Sequence, residues 1–281
     1  MQRIPQQAQQ QAEQAAREAS PWIIQLGRLG YAAKGIVYGL VGVLALLAAL
    51  GRGGQTTDTQ GALGTLVGAP FGRVLLALVA LGLIGHAVWR WVQAALDTEN
   101  KGTDAKGIAT RLGYAAIGVA YAGLALAAAR LAFGTGGGSG GSDQSAQDWT
   151  QSLLAQPFGR WLVGLAGLAV IGVGGYQLYR AYTAKFREKL NLGEMSTTEQ
   201  QWTLRVGRFG FAARGVVFAI IGGFLMMAAL RDQSEQARGL GGALDALGAA
   251  GPILLGIVAL GLVAYGVFMF LQARYRRMVI T

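Results

Sequence analysis

The sequence predicts an all-α, polytopic membrane protein in which six transmembrane helices form three parallel helical-hairpin repeats with pseudo-threefold symmetry. Three observations support this fold class: few residues are charged, the apolar residues fall into six separate blocks, and one phrase occurs three times. Charged residues make up 14% of the 281 residues and hydrophobic residues 53%, whereas about 25% of an average soluble domain is charged. The composition therefore favours a membrane protein.

Each apolar block is long enough to cross a bilayer. A helix rises 1.5 Å per residue, so about 20 apolar residues cross a hydrocarbon core of roughly 30 Å. No Asp or Glu lies inside any of the blocks, and backbone exposed to lipid must satisfy its own hydrogen bonds, as a helix does. The predicted spans are Leu29–Leu50, Phe71–Leu96, Leu112–Phe133, Phe158–Tyr182, Phe209–Leu230 and Pro252–Ala273.

The first helix of each hairpin opens with the same phrase. Residues 27–35 read GRLGYAAKG, residues 110–118 read TRLGYAAIG, and residues 207–215 read GRFGFAARG. The second helix has a signature of its own, PFGR, at residues 70–73 and 157–160, which the third copy lacks. Three matches in the same order predict that each hairpin is one structural unit.

These two motifs resemble the bacterial family called domain of unknown function 1206. The resemblance covers about residues 26–275 and implies a membrane protein of three two-helix repeats. It implies no activity, because the family has no established one. We divide the chain into a Gln- and Ala-rich cytoplasmic tail, for which we favour a mobile segment over a polar helix, and three repeats of two helices each: residues 1–25, 26–100, 108–190 and 204–277.

Lys and Arg are concentrated in the segments that follow the second, fourth and sixth spans. Cytoplasmic segments of membrane proteins carry such an excess, so both termini are predicted to be cytoplasmic in a multi-pass protein of the cell membrane, a bacterial inner membrane. The three loops on the other side each carry a weakly amphipathic segment, predicted to be a short interfacial helix: residues 61–66, 149–154 and 243–247.

The residue inventory excludes several kinds of site. The chain has no cysteine, and its one histidine is His86, which excludes disulfides, Cys-based metal sites and a His cluster within one chain. Nucleophilic catalysis needs a nucleophile held beside a base, and the spans lack a carboxylate. We therefore predict no enzyme activity, no cofactor, no catalytic residue and no metal site.

The formal net charge of +10 would indicate a nucleic-acid partner in a soluble protein. Here the basic residues flank the apolar blocks, as membrane topology requires, and we predict no nucleic-acid binding. The predicted partners are the lipid bilayer and possible further copies of the chain or another protein.

Two cations occupy equivalent positions inside the predicted spans. Lys34 in repeat 1 matches Arg214 in repeat 3, whereas repeat 2 has Ile117. An intramembrane cation is costly and usually faces a bundle interior or a water-filled cavity, so both are candidates for lining a cavity or a ligand site. Alternatively, each snorkels to the cytoplasmic interface or bonds a carbonyl of a neighbouring helix, and we favour this structural interpretation.

His86 and Tyr265 are equivalent positions in the second helices of repeats 1 and 3 and complete the candidate lining. Histidine changes its charge most readily near neutral pH, which allows a proton-linked role. Because repeat 2 has Val173 at this position, a hydrogen bond between helices is the simpler interpretation of His86.

Three functions from different classes fit these observations. The first is a non-enzymatic scaffold or an assembly or interaction subunit, because catalytic residues are missing and glycine-rich faces permit close helix packing. The alternative is a small-solute or anion channel or transporter with a central cavity, because Lys34 and Arg214 lie inside a pseudo-threefold bundle. A third is lipid binding through the basic cytoplasmic loops. An apolar, filled axis with both cations at the periphery would exclude transport.

Overall fold

A computed structural model describes residues 6–97, 102–135 and 141–277. The predicted end of repeat 1 at residue 100 therefore lies outside the described residues. Nine α-helices form within the described ranges, with short 3₁₀ turns in the connections. The helices are α1 (Gln6–Ala49), α2 (Thr59–Thr65), α3 (Gly72–Leu96), α4 (Ala105–Phe133), α5 (Ser142–Leu154), α6 (Gly159–Thr183), α7 (Thr197–Arg231), α8 (Leu240–Ala250) and α9 (Pro252–Tyr275).

The six predicted spans are confirmed as long apolar helices, α1, α3, α4, α6, α7 and α9. Of those that begin earlier than the hydropathy predicts, α4 and α7 do so because polar side chains cap them. The Asp104 carboxylate accepts a hydrogen bond from the Gly107 amide and starts α4. Ser196 and Glu199 form a reciprocal capping box that starts α7. Capping satisfies amides that the first turn leaves unpaired.

The polar N-terminal segment is helical from Gln6 onwards and continues without a break into the first span, with Pro21 inside the helix. A mobile tail was the favoured expectation for residues 1–25, and over the described residues the structure has a helix instead. Gln, Ala and Glu are good helix formers, and the chain here is nearly free of breakers.

The spans form a ring in the order α1, α3, α4, α6, α7, α9, with α9 closing back on α1. Neighbouring repeats pack tightly, α3 against α4, α6 against α7, and α9 against α1. Within repeats 1 and 3 the two helices of the hairpin also pack together, but α4 and α6 of repeat 2 do not form a packed pair. The ring is therefore closed everywhere except at one gap, between α4 and α6.

Equivalent small residues carry the contacts between repeats. A Cβ built on Gly35 would lie 2.9 Å from the carbonyl oxygen of Gly266, and one on Gly215 would lie 3.0 Å from the carbonyl oxygen of Gly174. These pairs place α1 against α9 and α7 against α6 in the same way. Helices in lipid associate through such close backbone approach rather than through the hydrophobic effect.

The end of the bundle at which the two spans of each repeat are connected, here named the outer end, is covered by the three loop helices α2, α5 and α8, which correspond to the three predicted interfacial segments. Hydrogen bonds link the three loops in a closed cycle. Asp58 at the start of α2 accepts from the Ser142 amide of loop 2, and Asp143 accepts from the Gly239 amide of loop 3 at 2.7 Å. Thr56 of loop 1 donates to Asp245 of α8. The three repeats are thereby joined at this end.

The opposite end, where the GRLGY-type phrases lie, is filled by an aromatic cluster. Phe186, in the connection between α6 and α7, is fully buried and stacks on Phe211 with ring centroids 5.2 Å apart. Its ring also meets Phe268 edge-on at 5.0 Å. The connection is held by a backbone bridge from Leu190 to Arg276 after α9. This end is therefore packed rather than open.

Candidate functional site

Lys34 points into the bundle. Only 6% of its surface is exposed, and its Nζ lies 5.0 Å from the ring centroid of Tyr121, 5.8 Å from that of Tyr265 and 6.0 Å from that of Tyr38. The three rings come from α4, α9 and α1. Lys34 does not snorkel to the interface as the favoured interpretation expected, because its side chain is enclosed by aromatic faces from three helices.

Arg214 reaches the same place from α7. Its Nη1 donates a hydrogen bond of 2.6 Å to the hydroxyl of Tyr265, and its guanidinium lies 4.4 Å from the ring centroid of Tyr265 and 5.1 Å from that of Tyr38. The rings of Tyr38 and Tyr265 meet edge-on at 5.0 Å. Lys34 and Arg214 therefore share one pair of tyrosines inside the ring.

The repeat explains how this arrangement arises. Lys34 and Arg214 each lie six residues beyond the motif arginine of their helix, so both stand about 9 Å along the axis from it. Four residues further, on the same helix face, the three repeats have Tyr38, Tyr121 and Phe218. Extending the alignment of the repeats by three residues would have identified this aromatic set, which the sequence analysis missed.

His86 lies against the same group without forming the hydrogen bond predicted for it. Its ring meets Tyr31 edge-on at 5.0 Å and Tyr121 at 4.6 Å, and neither ring nitrogen has a partner among the described residues. The surrounding faces are aromatic, so they offer ring contacts rather than acceptors. The structure thus brings Lys34, Arg214, His86 and Tyr265 together.

Further arginines border this group and were missed by the sequence analysis, two of them inside the spans. Arg180, near the end of α6, lies 4.3 Å over the ring of Phe211, and Arg90 of α3 lies 5.4 Å over the ring of Tyr114. Both occur close to a span end, where a basic residue normally indicates topology. The pattern alone gives no sign that they turn inward.

The cations of the group lack a countercharge. Among the described residues, no carboxylate pairs with Lys34, Arg180 or Arg214. Contacts with aromatic faces are worth about 0.5–2 kcal/mol each, whereas removing one ion from water costs several kcal/mol even after relaxation. The rings therefore offset only part of the cost, and a bound anion would offset more. We define Lys34, Arg180, Arg214, Tyr38, Tyr121 and Tyr265 as the cation–tyrosine cluster.

The cluster borders the gap between α4 and α6. In repeats 1 and 3 the motif glycine closes the hairpin: a Cβ on Gly30 would lie 2.6 Å from the His86 Cα, and one on Gly210 would lie 2.6 Å from the Tyr265 Cα. A Cβ on the equivalent Gly113 would meet no atom of a neighbouring described element within 4 Å, and Val173 opposite it is 46% exposed. Repeat 2 therefore keeps the packing residue while its two helices stand apart.

The motif arginines serve another purpose. Arg111 donates from Nε to the Ala94 carbonyl at 2.7 Å and from Nη2 to the Ala95 carbonyl at 2.9 Å. Arg208 donates to the Tyr182 carbonyl at 3.3 Å. Each carbonyl lies at the end of the preceding repeat's second helix, where carbonyls lack an intrahelical donor. These two arginines thus bind neighbouring repeats together.

Comparison with known proteins supports the repeat. The family described as Domain of Unknown Function (DUF1206) matches three times, at residues 29–97, 112–184 and 209–276. An uncharacterized protein of Bacillus subtilis (strain 168), YxxB, is 38% identical over 264 residues, which cover 93% of this chain and 94% of that protein. No solved structure matches.

Proposed function

The chain belongs to the DUF1206 family of domains of unknown function, and for this multi-pass membrane protein we propose a non-enzymatic role in binding an anionic group inside the helix bundle. One observation carries the proposal: Lys34 and Arg214 converge on the same two tyrosines, Tyr38 and Tyr265, with no carboxylate beside them. Two uncompensated cations in a medium of low dielectric constant attract an anion strongly. The tyrosine hydroxyls are additional donors.

Binding fits the geometry better than free conduction. Loop helices α2, α5 and α8 cover the outer end, and the cluster around Phe186 fills the other end. Between α1, α7 and α9 the outer half is packed with apolar side chains such as Val41, Ala259 and Leu262. A continuous ion path through these layers would require them to rearrange. We therefore propose a receptor or carrier for an anion rather than an open channel.

The scaffold hypothesis has less support. It expects a bundle closed on all sides or one whose open side is covered by a partner protein. Large apolar side chains on α4 and α6, for example Leu126 and Leu165, are exposed, as they would be toward lipid. With both termini in the cytoplasm of a bacterial cell, the cation–tyrosine cluster would lie in the inner half of the membrane. The molecules next to it would then be lipids of the bilayer.

Anion binding is tested by ligand-dependent stability of the full-length protein in a neutral detergent. A ligand that binds only the folded state stabilises it by RT ln(1 + [L]/Kd). Sodium phosphate at constant ionic strength should raise the unfolding temperature of the wild type relative to sodium chloride, and it should not do so for Lys34→Gln or Arg214→Gln.

The matched control is Arg52→Gln, which removes the same charge from an exposed position in the first outer loop. Phosphate should stabilise this variant as much as the wild type. Equal stabilisation of all four proteins, or of none of them by phosphate and by sulfate, would refute anion binding at the cluster.

A further inference from the structure

We infer that the gap between α4 and α6 is a lateral lipid site, in which an anionic phospholipid places its phosphate on the cation–tyrosine cluster. The inference rests on the proposed anion binding and adds the chemical class of the ligand and its way in. It follows from four features of the described residues: which helices stand apart, which side chains border the gap, how deep the cations lie, and what lines the space behind them.

The gap faces lipid. Since α4 and α6 are both spans, anything between them reaches the cluster from the side of the bundle. Both walls are open at their packing positions, because a Cβ added to Gly113 on α4 or to Gly172 on α6 would meet no atom of another described element within 4 Å. By contrast, a Cβ on Gly85, the equivalent of Gly172 in repeat 1, would lie 2.4 Å from the Leu26 carbonyl oxygen.

The side chains at the gap are those that bind a phosphate. Tyr121 on α4 contacts Lys34 and His86, so this wall leads directly to the first cation. Arg180 on α6 belongs to the other wall and lies over Phe211 of α7. Arginine and lysine donors placed together are the usual partners of phosphate groups.

The depth of the cations suits a headgroup drawn into the membrane. Arg180 lies three residues before the end of α6, about 5 Å along its axis, and basic residues near a span end commonly meet lipid phosphates. Lys34 and Arg214 lie about 9 Å beyond the motif arginines. The cations therefore lead from the interface into the bundle, and a lipid phosphate can move along them without leaving the membrane.

Between the cation–tyrosine cluster and the outer end, the side chains next to the gap are apolar. Ile221 of α7 stays partly exposed, although the equivalent Val41 of repeat 1 is fully buried, and Phe224 nearly one turn beyond Ile221 is partly exposed as well. The space next to repeat 2 is thus lined by apolar side chains beyond the cluster. The cation–tyrosine cluster would bind the phosphate of a lipid, and the apolar space beyond the cluster would hold its acyl chain. A free inorganic anion would leave this apolar space unfilled.

The test measures lipid retention by the full-length protein. The protein is reconstituted in vesicles of equal phosphatidylglycerol and phosphatidylcholine, extracted in mild detergent, and examined by native mass spectrometry. One phosphatidylglycerol should be retained in preference to phosphatidylcholine. Losing a hydrogen-bonded charge contact typically weakens binding tenfold or more, so Arg180→Gln and Arg214→Gln should lower this preference by roughly tenfold, while Arg52→Gln should keep it.

Gap-filling variants locate the lipid. Trp in place of Gly113 or of Gly172 enters open space from opposite walls, so both variants should fold, as their unfolding temperatures will verify. Each should lower phosphatidylglycerol retention by roughly tenfold, as expected when a bulky side chain occupies a binding space. Val119→Trp is the control, because Val119 is 64% exposed on the same helix, and it should retain the lipid.

Each outcome decides between the two proposals. Stabilisation by phosphate without a preference for phosphatidylglycerol overturns the lipid site and leaves anion binding in place. Neither stabilisation nor preference overturns both. Retention that is unchanged in both tryptophan variants places the lipid elsewhere, and a dimer mass in place of bound lipid shows that a second copy covers the gap.

Discussion

Arg214 of α7 donates a 2.6 Å hydrogen bond to the hydroxyl of Tyr265 in α9, within repeat 3. In repeat 1 the equivalent residues are Lys34 and His86, and they meet through Tyr121 of repeat 2 rather than directly. The same two positions thus hold a direct charged hydrogen bond in one hairpin and an aromatic bridge in another. This divergence makes repeats 1 and 3 experimentally separable.

Tyr265→Phe should therefore destabilise the protein. It removes the acceptor of a buried guanidinium, and a hydrogen bond to a charged group is worth about 1.5–3 kcal/mol. Thermal or chemical unfolding in detergent should show this loss, together with weaker stabilisation by phosphate.

Tyr31→Phe is the matched control for that prediction, since the Tyr31 hydroxyl is buried without a partner among the described residues. Removing this hydroxyl should be neutral or slightly stabilising. If Tyr31→Phe and Tyr265→Phe cost the same, the Arg214 bond does not contribute to folding.

The sequence predicts the six spans, the three hairpins and the four site candidates, because hydropathy and repetition are local signals. It does not predict the gap, since Gly113 belongs to the same GRLGY-type phrase as Gly30 and Gly210, which close their hairpins. Whether two helices touch depends on the total packing of both faces, and α4 and α6 each pack on a neighbouring repeat instead. The inward direction of the Arg180 side chain could not be predicted either, because it too depends on how α6 packs on α7.

Substitution at the motif glycine should consequently depend on the repeat. Gly30→Ala and Gly210→Ala place a methyl group 2.6 Å from backbone atoms of the facing helix, and overpacking of this kind costs about 1–3 kcal/mol. Gly113→Ala meets open space and should be neutral, or slightly stabilising because Ala is the better helix former. Unfolding temperatures of the three variants provide the comparison, and a similar loss in all three would mean that α4 and α6 close in the membrane.

Arg160 caps the C-terminal end of α7, and its replacement by lysine should destabilise the protein although the charge is kept. Arg160 donates from Nε to the Ala229 carbonyl at 3.2 Å and from Nη2 to the Leu230 carbonyl at 2.9 Å. A lysine ammonium cannot reproduce this two-pronged geometry, so Arg160→Lys should cost about 1–2 kcal/mol in the free energy of unfolding. Arg52→Lys, at an exposed loop position, should cost nothing measurable, and equal effects would contradict a capping role.

The cycle of hydrogen bonds across the outer loops should break most easily at Asp58. Its carboxylate accepts from the Gly61 amide at 2.8 Å and from the Ser142 amide of the next repeat, and the side chain is buried. Asp58→Ala leaves two amides without their acceptor, which costs about 1–3 kcal/mol for each that stays buried. The expected result is faster cleavage of the outer loops by added protease at a temperature where the wild type resists.

Asp148→Ala is the control. It removes an exposed carboxylate whose side-chain partner is Gln144 of the same helix, and its cleavage rate should match that of the wild type. If Asp58→Ala were cleaved no faster than Asp148→Ala, the three loops would be held by the packing of α2, α5 and α8, and the hydrogen-bond cycle would be a consequence of that packing.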